Sequence, residues 1–143
     1  GIPPVAADKR RITQVLNNLL ENAIRHTLKG GKIVLRASRK DAALALINKH
    51  IEAEGGPDKI DIELIVHGPA LELFEKDKMD PEMTKRFDQI IEKGVKAEMC
   101  QVSMKMFGKT LDNLAKGFVA TLHPVAVKRI ADLQQQGYLY IKP

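Results

Sequence analysis

A single cysteine, Cys100, stands in 143 residues, so no disulfide can form within the chain. That economy fits a reducing compartment, and a cytoplasmic location is expected. Tryptophan is absent, and aromatic residues make up only 4% of the chain, with none before Phe74. A nucleic-acid binder without stacking platforms in its basic region is poorly equipped, and no nucleic-acid partner is expected. No apolar run is long enough to span a bilayer, so no membrane partner is expected either. Residues 1–20 are polar and basic, unlike a secretory signal, although Gly rather than Met at position 1 leaves an earlier removed leader open. G-x-S-x-G, P-loop, H-E-x-x-H and C-x-x-C patterns are all missing. The segment HGPALELF (67–74) is no substitute for a phosphate loop, because Pro69 lacks the N–H that such a loop would use.

What is present is an ordinary globular composition, 44% hydrophobic and 29% charged, of a size for one core. The net charge of +5 is unevenly spread. Residues 1–40 carry nine Lys and Arg against Asp8 and Glu21, whereas the remainder is slightly acidic. Such a break suggests either an acidic partner for the first stretch or simply a solvated helix face.

Hydrophobic spacing divides the chain into alternating elements. Ile12, Val15, Leu16, Leu19, Leu20, Ala23 and Ile24 fall at helical intervals between Asp8 and Gly30-Gly31, predicting an amphipathic helix over 9–28. Strands are predicted within 32–38, 59–68, 95–100, 117–123 and 138–143, from their β-branched and apolar runs. Helices are predicted within 39–56, 80–94, 101–116 and 124–137. Asp80 is the expected cap of the second of these, with Pro81 at its first position. Strands alternating with helices imply parallel pairing through right-handed crossovers. The expected fold is therefore α/β: a three-layer α/β/α sandwich around a mostly parallel sheet of about five strands, with the helix at 9–28 as an addition.

Parallel pairing brings the carboxyl ends of all strands to one edge, where open sheets bind ligands at the point of reversed strand order. His67, Cys100 and His123 are expected at the ends of the second, third and fourth strands, and Ser38 at the end of the first. Cys100 also precedes a predicted helix, whose free N–H groups and dipole would favour a thiolate. A nearby imidazole would add to that. The alternative is a packed, inert thiol among Val, Met and Ala. Zinc on Cys100, His67 and His123 has suitable ligand types, but the spacing matches no closed zinc motif, so no metal or cofactor is expected. His67 before Gly68-Pro69 and His123 before Pro124 also have bland readings as turn and helix-entry residues. Met99, Met104 and Met106 read as core filler.

Three stretches together, IELIVHGPALELF (62–74), GVKAEMCQVSM (94–104) and RIADLQQQGYLYIKP (129–143), resemble the DsrE/DsrF-like family. The likeness runs from about residue 32 to 143, which sets a domain of 32–143 preceded by an appended segment of 1–31. It implies a flavodoxin-like sheet, a homo-oligomer such as a trimer or hexamer, and a link to sulfur trafficking. In the sulfur-relay members a cysteine after the third strand carries a persulfide, and Cys100 matches it. Lacking a second cysteine, this chain would have to pass sulfur to another protein or a small thiol. Separately, ADKRRITQVLNNLLENAIRHTLKGGKIVL (7–35) resembles the N-box helix of sensor histidine-kinase ATPase domains, in which the residue matching Asn22 binds magnesium with ATP. The D-x-G-x-G and later glycine-rich boxes of that family are absent, and one helix cannot enclose a nucleotide. A helix covering the sheet or a neighbouring subunit is the plainer role for this segment.

The leading expectation is a sulfur carrier or sulfurtransferase-like protein working through Cys100, with His67 or His123 assisting. A non-catalytic oligomeric binding module is the first alternative, and a nucleotide-binding remnant through Asn22 the second.

Overall fold

The computed structural model describes residues 32–36 and 42–142. The helix expected over 9–28, with Asn22, lies outside the described residues, as does Ser38.

Five strands, β1 (Lys32–Arg36), β2 (Asp61–Val66), β3 (Lys96–Met99), β4 (Phe118–Ala120) and β5 (Leu139–Ile141), align in the order β4-β3-β2-β1-β5. Every neighbouring pair is parallel. The chain steps outward from β1 to β4 and then returns across the sheet to β5. Because parallel crossovers are right-handed, a reversal of direction changes the face on which the connecting helix lies. The helices α1 (Ala42–Ala53) and α2 (Pro81–Glu92) therefore share one face, and α4 (Ala126–Gln135) covers the other. The short α3 (Gln101–Met106) connects β3 towards β4.

The buried side chains follow the same division. Alternation along β2 sends Ile62, Leu64 and Val66 into a large cluster with Leu44, Ile47, Met83, Phe87 and Ile90 of α1 and α2. Phe74, Phe87 and Phe118 meet there with ring centroids 4.9–5.6 Å apart. The opposite side holds Ile65, Cys100, Ala126, Ile130, Leu133 and Tyr138. At α2, Asp80 caps as expected, accepting the Met83 N–H at 2.8 Å, and Pro81 occupies the first turn.

Two expected elements are shorter than their patterns suggest. Helix α3 stops at Met106 instead of running to 116, because Gly108 turns the backbone to φ +62° and Thr110 with Asn113 then forms a capping box around a separate turn over Leu111–Asn113. Strand β4 stops at Ala120 instead of reaching 123: the Thr121 hydroxyl donates to the His123 carbonyl at 2.6 Å, and Pro124 has no N–H to extend a ladder. His123 is thus three residues beyond its strand rather than at its end. The reversal of strand order also falls elsewhere than the sulfur site. It lies between β1 and β5, whereas Cys100 follows β3, which β2 separates from β1.

Candidate functional site

Cys100 follows β3 directly and caps α3. Its backbone N–H donates to the Val66 carbonyl at the end of β2 (2.9 Å), which ties the two strand ends together. The side chain turns to the α4 face and is 4% exposed. As a thiol, Sγ donates to the Pro124 carbonyl at 3.5 Å.

Two opposing influences act on this sulfur. Burial, the largest, pushes the thiol pKa up. Against it stand the Ser103 hydroxyl and the backbone N–H groups of Ser103, Ala126 and Val102, which together outweigh burial and leave the thiol below its ordinary value. These groups come from two places: Val102, whose N–H also donates to the Pro124 carbonyl at 3.0 Å, and Ser103 are in the first turn of α3, and Ala126 opens α4. The sulfur therefore sits where the amino ends of two helices converge.

Ser103 is fixed from a third place. Its Oγ accepts the Gly68 N–H at 2.7 Å, so the hydroxyl proton is directed away from Gly68 and is available to the sulfur. Gly68 makes this approach in the left-handed region, φ +62°, which a side chain would strain. His67, immediately before it, follows β2 in an extended conformation, and the H-G-P segment is tied to the start of α3 through Gly68 and Ser103.

His123 has a different setting. Its Nε2 lies 2.6 Å from Asp132 Oδ2, and Asp132 also pairs with Lys128. The Lys128 hydrogen bond is the main reason that the Asp132 carboxyl lies below its usual range, with His123 adding to it. Asp132 sits six positions after Ala126, roughly 9 Å along the α4 axis. The imidazole is thus engaged down the helix from the sulfur.

A cavity of about 810 Å³ opens between α3 and the chain after β4, and Cys100 itself does not line it. Gln101, Val102 and Pro124, the neighbours of Cys100 in sequence and in space, form part of its wall, and Lys105, Lys109 and Asp112 supply charge. Gln101 stitches this wall by donating from Nε2 to the Thr121 carbonyl at 2.6 Å. Among the described residues, no group of three or more His, Cys, Asp or Glu side chains is arranged to hold a metal, and no helix is long and apolar enough to cross a membrane.

Sequence reasoning expected His67 and Cys100 at the ends of the second and third strands, where they directly follow β2 and β3, but it did not connect Ser103, Pro124 or Ala126 with Cys100. The spacing C-x-x-S held a usable signal for Ser103, because the third helical position lies back over the cap. Nothing in the sequence announced Pro124 and Ala126, which arrive through tertiary packing.

The chain is similar in structure to a protein of unknown function from Methanobacterium thermoautotrophicum, with TM-score 0.61 and 20% identity over 79% of this chain and 99% of that one. It is also similar to a conserved protein of unknown function from Bacteroides thetaiotaomicron, with TM-score 0.55 and 13% identity over 78% of this chain and 94% of that one. No curated protein matches it. The profile of the DsrE/DsrF-like family matches residues 33–143, from β1 through β5 and across every residue of the sulfur site. The chain belongs to the DsrE/DsrF-like family.

Proposed function

We propose that this protein is a sulfur carrier of cytoplasmic sulfur metabolism, a sulfurtransferase-like member of its family with a flavodoxin-like three-layer fold that acts as a homo-oligomer, a trimer or hexamer. The observation that supports the reading best is the setting of Cys100, which caps α3 and packs against Ala126 at the start of α4, beside a Ser103 held by Gly68, with its thiol pKa lowered despite burial. Packing a neutral thiol requires no donors around it, whereas an anionic sulfur uses them.

The Cys100 thiolate attacks the outer sulfur of a persulfide donor, R–S–SH. The new S–S bond forms on Cys100, the donor S–S bond breaks, and R–S⁻ leaves with its electron pair. An acceptor thiolate then attacks the outer sulfur of the Cys100 persulfide and takes it, returning Cys100 as thiolate. Sulfur, protons and electrons balance across the two exchanges, and no external oxidant is consumed. Donor and acceptor are proteins or small thiols that approach from the cavity beside Pro124. His67 flanks the exchange from the end of β2, and His123 steadies the wall of the site through Asp132.

The 4% exposure of Cys100 favours a second reading, in which the cavity holds a ligand and the thiol merely backs it. Mass measurement of the intact protein after exposure to polysulfide separates the two. The carrier reading expects a gain of sulfur that a thiol reductant removes and that Cys100→Ser abolishes. No gain, or a gain that persists in Cys100→Ser, defeats it.

A further inference from the structure

The face of the sheet beneath α4 carries more charge than a core face ordinarily does. Glu98 of β3 is buried and lies two residues before Cys100, so both side chains leave the strand on the same side. Arg129 lies one turn after Ala126 on α4. Its Nε meets both Glu98 oxygens, at 2.9 and 3.0 Å, and its Nη2 meets Oε1 at 2.6 Å. Such a forked pair fixes orientation as well as distance. Two links therefore join the same two segments. Cys100 meets Pro124 and Ala126 at one end, and Glu98 meets Arg129 about 7 Å down the strand.

We propose that Glu98 and Arg129 are a positioning pair, clamping the first turn of α4 onto β3 and thereby holding the Pro124 carbonyl and the Ala126 N–H at the Cys100 sulfur. The pair touches no reacting atom and acts through α4. It builds on the carrier reading, since it concerns the same sulfur, but its readout needs no sulfur transfer.

The charged surroundings make the test discriminating. Glu63 of β2 lies 3.8 Å from Arg129 and 3.4 Å from Lys96, and Asp61 accepts from the Tyr138 hydroxyl at 2.7 Å while lying 3.7 Å from Lys96. Farther along α4, Asp132 holds Lys128 and His123, and His67 lies at the end of β2. Through space alone, Glu98→Gln removes a negative charge and would lower the thiol midpoint, while Arg129→Lys keeps its charge and would leave the midpoint in place. Positioning predicts that both changes raise it, because either one frees α4 to withdraw the Ala126 N–H from the thiolate, while the Pro124 carbonyl keeps its separate tie to the Val102 N–H at 3.0 Å.

Cys100 is the sole thiol, so ultraviolet thiolate absorbance against pH, corrected with Cys100→Ser, reports this one sulfur. In both variants the midpoint is expected to rise by about one pH unit, a roughly tenfold loss of thiolate at pH values below it. A midpoint that falls or stays in place in Glu98→Gln with native circular dichroism overturns the proposal. Should that variant fail to fold, an unmoved midpoint in Arg129→Lys does the same. Wild-type protein that takes up no sulfur while the midpoints shift removes the carrier reading alone; sulfur uptake with unmoved midpoints removes the clamp alone.

Discussion

Replacing Ser103 by Ala deletes one oxygen that serves two partners. That oxygen accepts the Gly68 N–H at 2.7 Å, and its hydroxyl is the foremost influence lowering the Cys100 thiol pKa. A hydrogen bond to a charged group contributes about 1.5–3 kcal/mol, and about 1.4 kcal/mol is one pKa unit. The backbone N–H groups of the two helix starts remain, so the lower end of that range applies, and the Cys100 midpoint rises by about one unit. At pH values below both midpoints the thiolate fraction then falls about tenfold, but the more basic thiolate is intrinsically about threefold more nucleophilic, given a Brønsted slope near 0.5. Sulfur uptake should therefore slow only about threefold. Stability changes as well. The Gly68 N–H loses its partner at a half-buried position, which costs about 1 kcal/mol at any pH. The second part depends on pH. Cys100 is an acid whose folded pKa lies below its unfolded one, so it contributes stability above the unfolded value, and that contribution disappears as pH falls through the folded value. Ser103→Ala should accordingly cost about 1 kcal/mol more in alkaline than in mildly acidic urea titrations. An unmoved or lowered thiol midpoint in folded Ser103→Ala, or a stability loss independent of pH, refutes the assignment of the hydroxyl proton to the sulfur.

Two further outcomes concern the frame around the site. Phe87→Ala opens a hole in the ring cluster with Phe74 and Phe118 and should cost about 3–5 kcal/mol in urea unfolding, while leaving the thiol midpoint of the folded fraction unchanged; a loss below about 1 kcal/mol contradicts the packing. Glu63 is buried, and burial together with Glu98 raises its pKa against the opposing pull of Lys96 and Arg129. An acid with a raised folded pKa contributes fully below its unfolded value and loses that contribution as pH climbs through the folded one. Glu63→Gln should therefore gain stability relative to wild type as pH rises from about 4 towards 7, and a flat or falling difference in thermal unfolding rules this out.

The alternation of strands and helices was legible because each β-run is apolar and each helix carries its own stripe and stop signals. Asp80-Pro81 set a helix start that needs nothing from elsewhere in the chain. Boundaries failed where a side chain competed with the ladder. Residues 117–123 read as one strand because Phe118, Val119 and Leu122 are apolar, yet the Thr121 hydroxyl closes a turn on His123 and ends it at Ala120. For the same reason His123 was legible as a residue near the sheet edge, but its pairing with Asp132 was not. Cys100 was legible because strand order is not needed to know which edge a carboxyl end occupies. Ser103 and Ala126 were not, since their roles depend on Gly68, 35 positions upstream of Ser103, and on how α4 packs. Glu98 and Arg129 were the least legible: in isolation each is an ordinary charge in an amphipathic element, and only β3 lying beneath α4 turns them into a buried pair.

Burial and reactivity pull against each other at Cys100, and their balance bears on whether the enclosure serves packing or chemistry. A thiol enclosed by Ile65, Ile130 and Leu133 without donors would be driven up in pKa and become inert. The N–H groups of Val102, Ser103 and Ala126 would be present at any two helix starts, so by themselves they say little. Ser103 is the informative group. A serine whose hydroxyl already accepts a backbone N–H could satisfy its proton on its own helix by bonding back to a carbonyl one turn earlier, as buried serines commonly do. Here the hydroxyl lies against sulfur, a weak acceptor as a thiol and a strong one as a thiolate. The arrangement is worth little to the neutral state and much to the ionised one. Enclosure then strengthens those donors, because water is absent to screen them. Burial thus acts on both sides of the balance: it raises the thiol pKa directly, and it strengthens the donors that bring it back down.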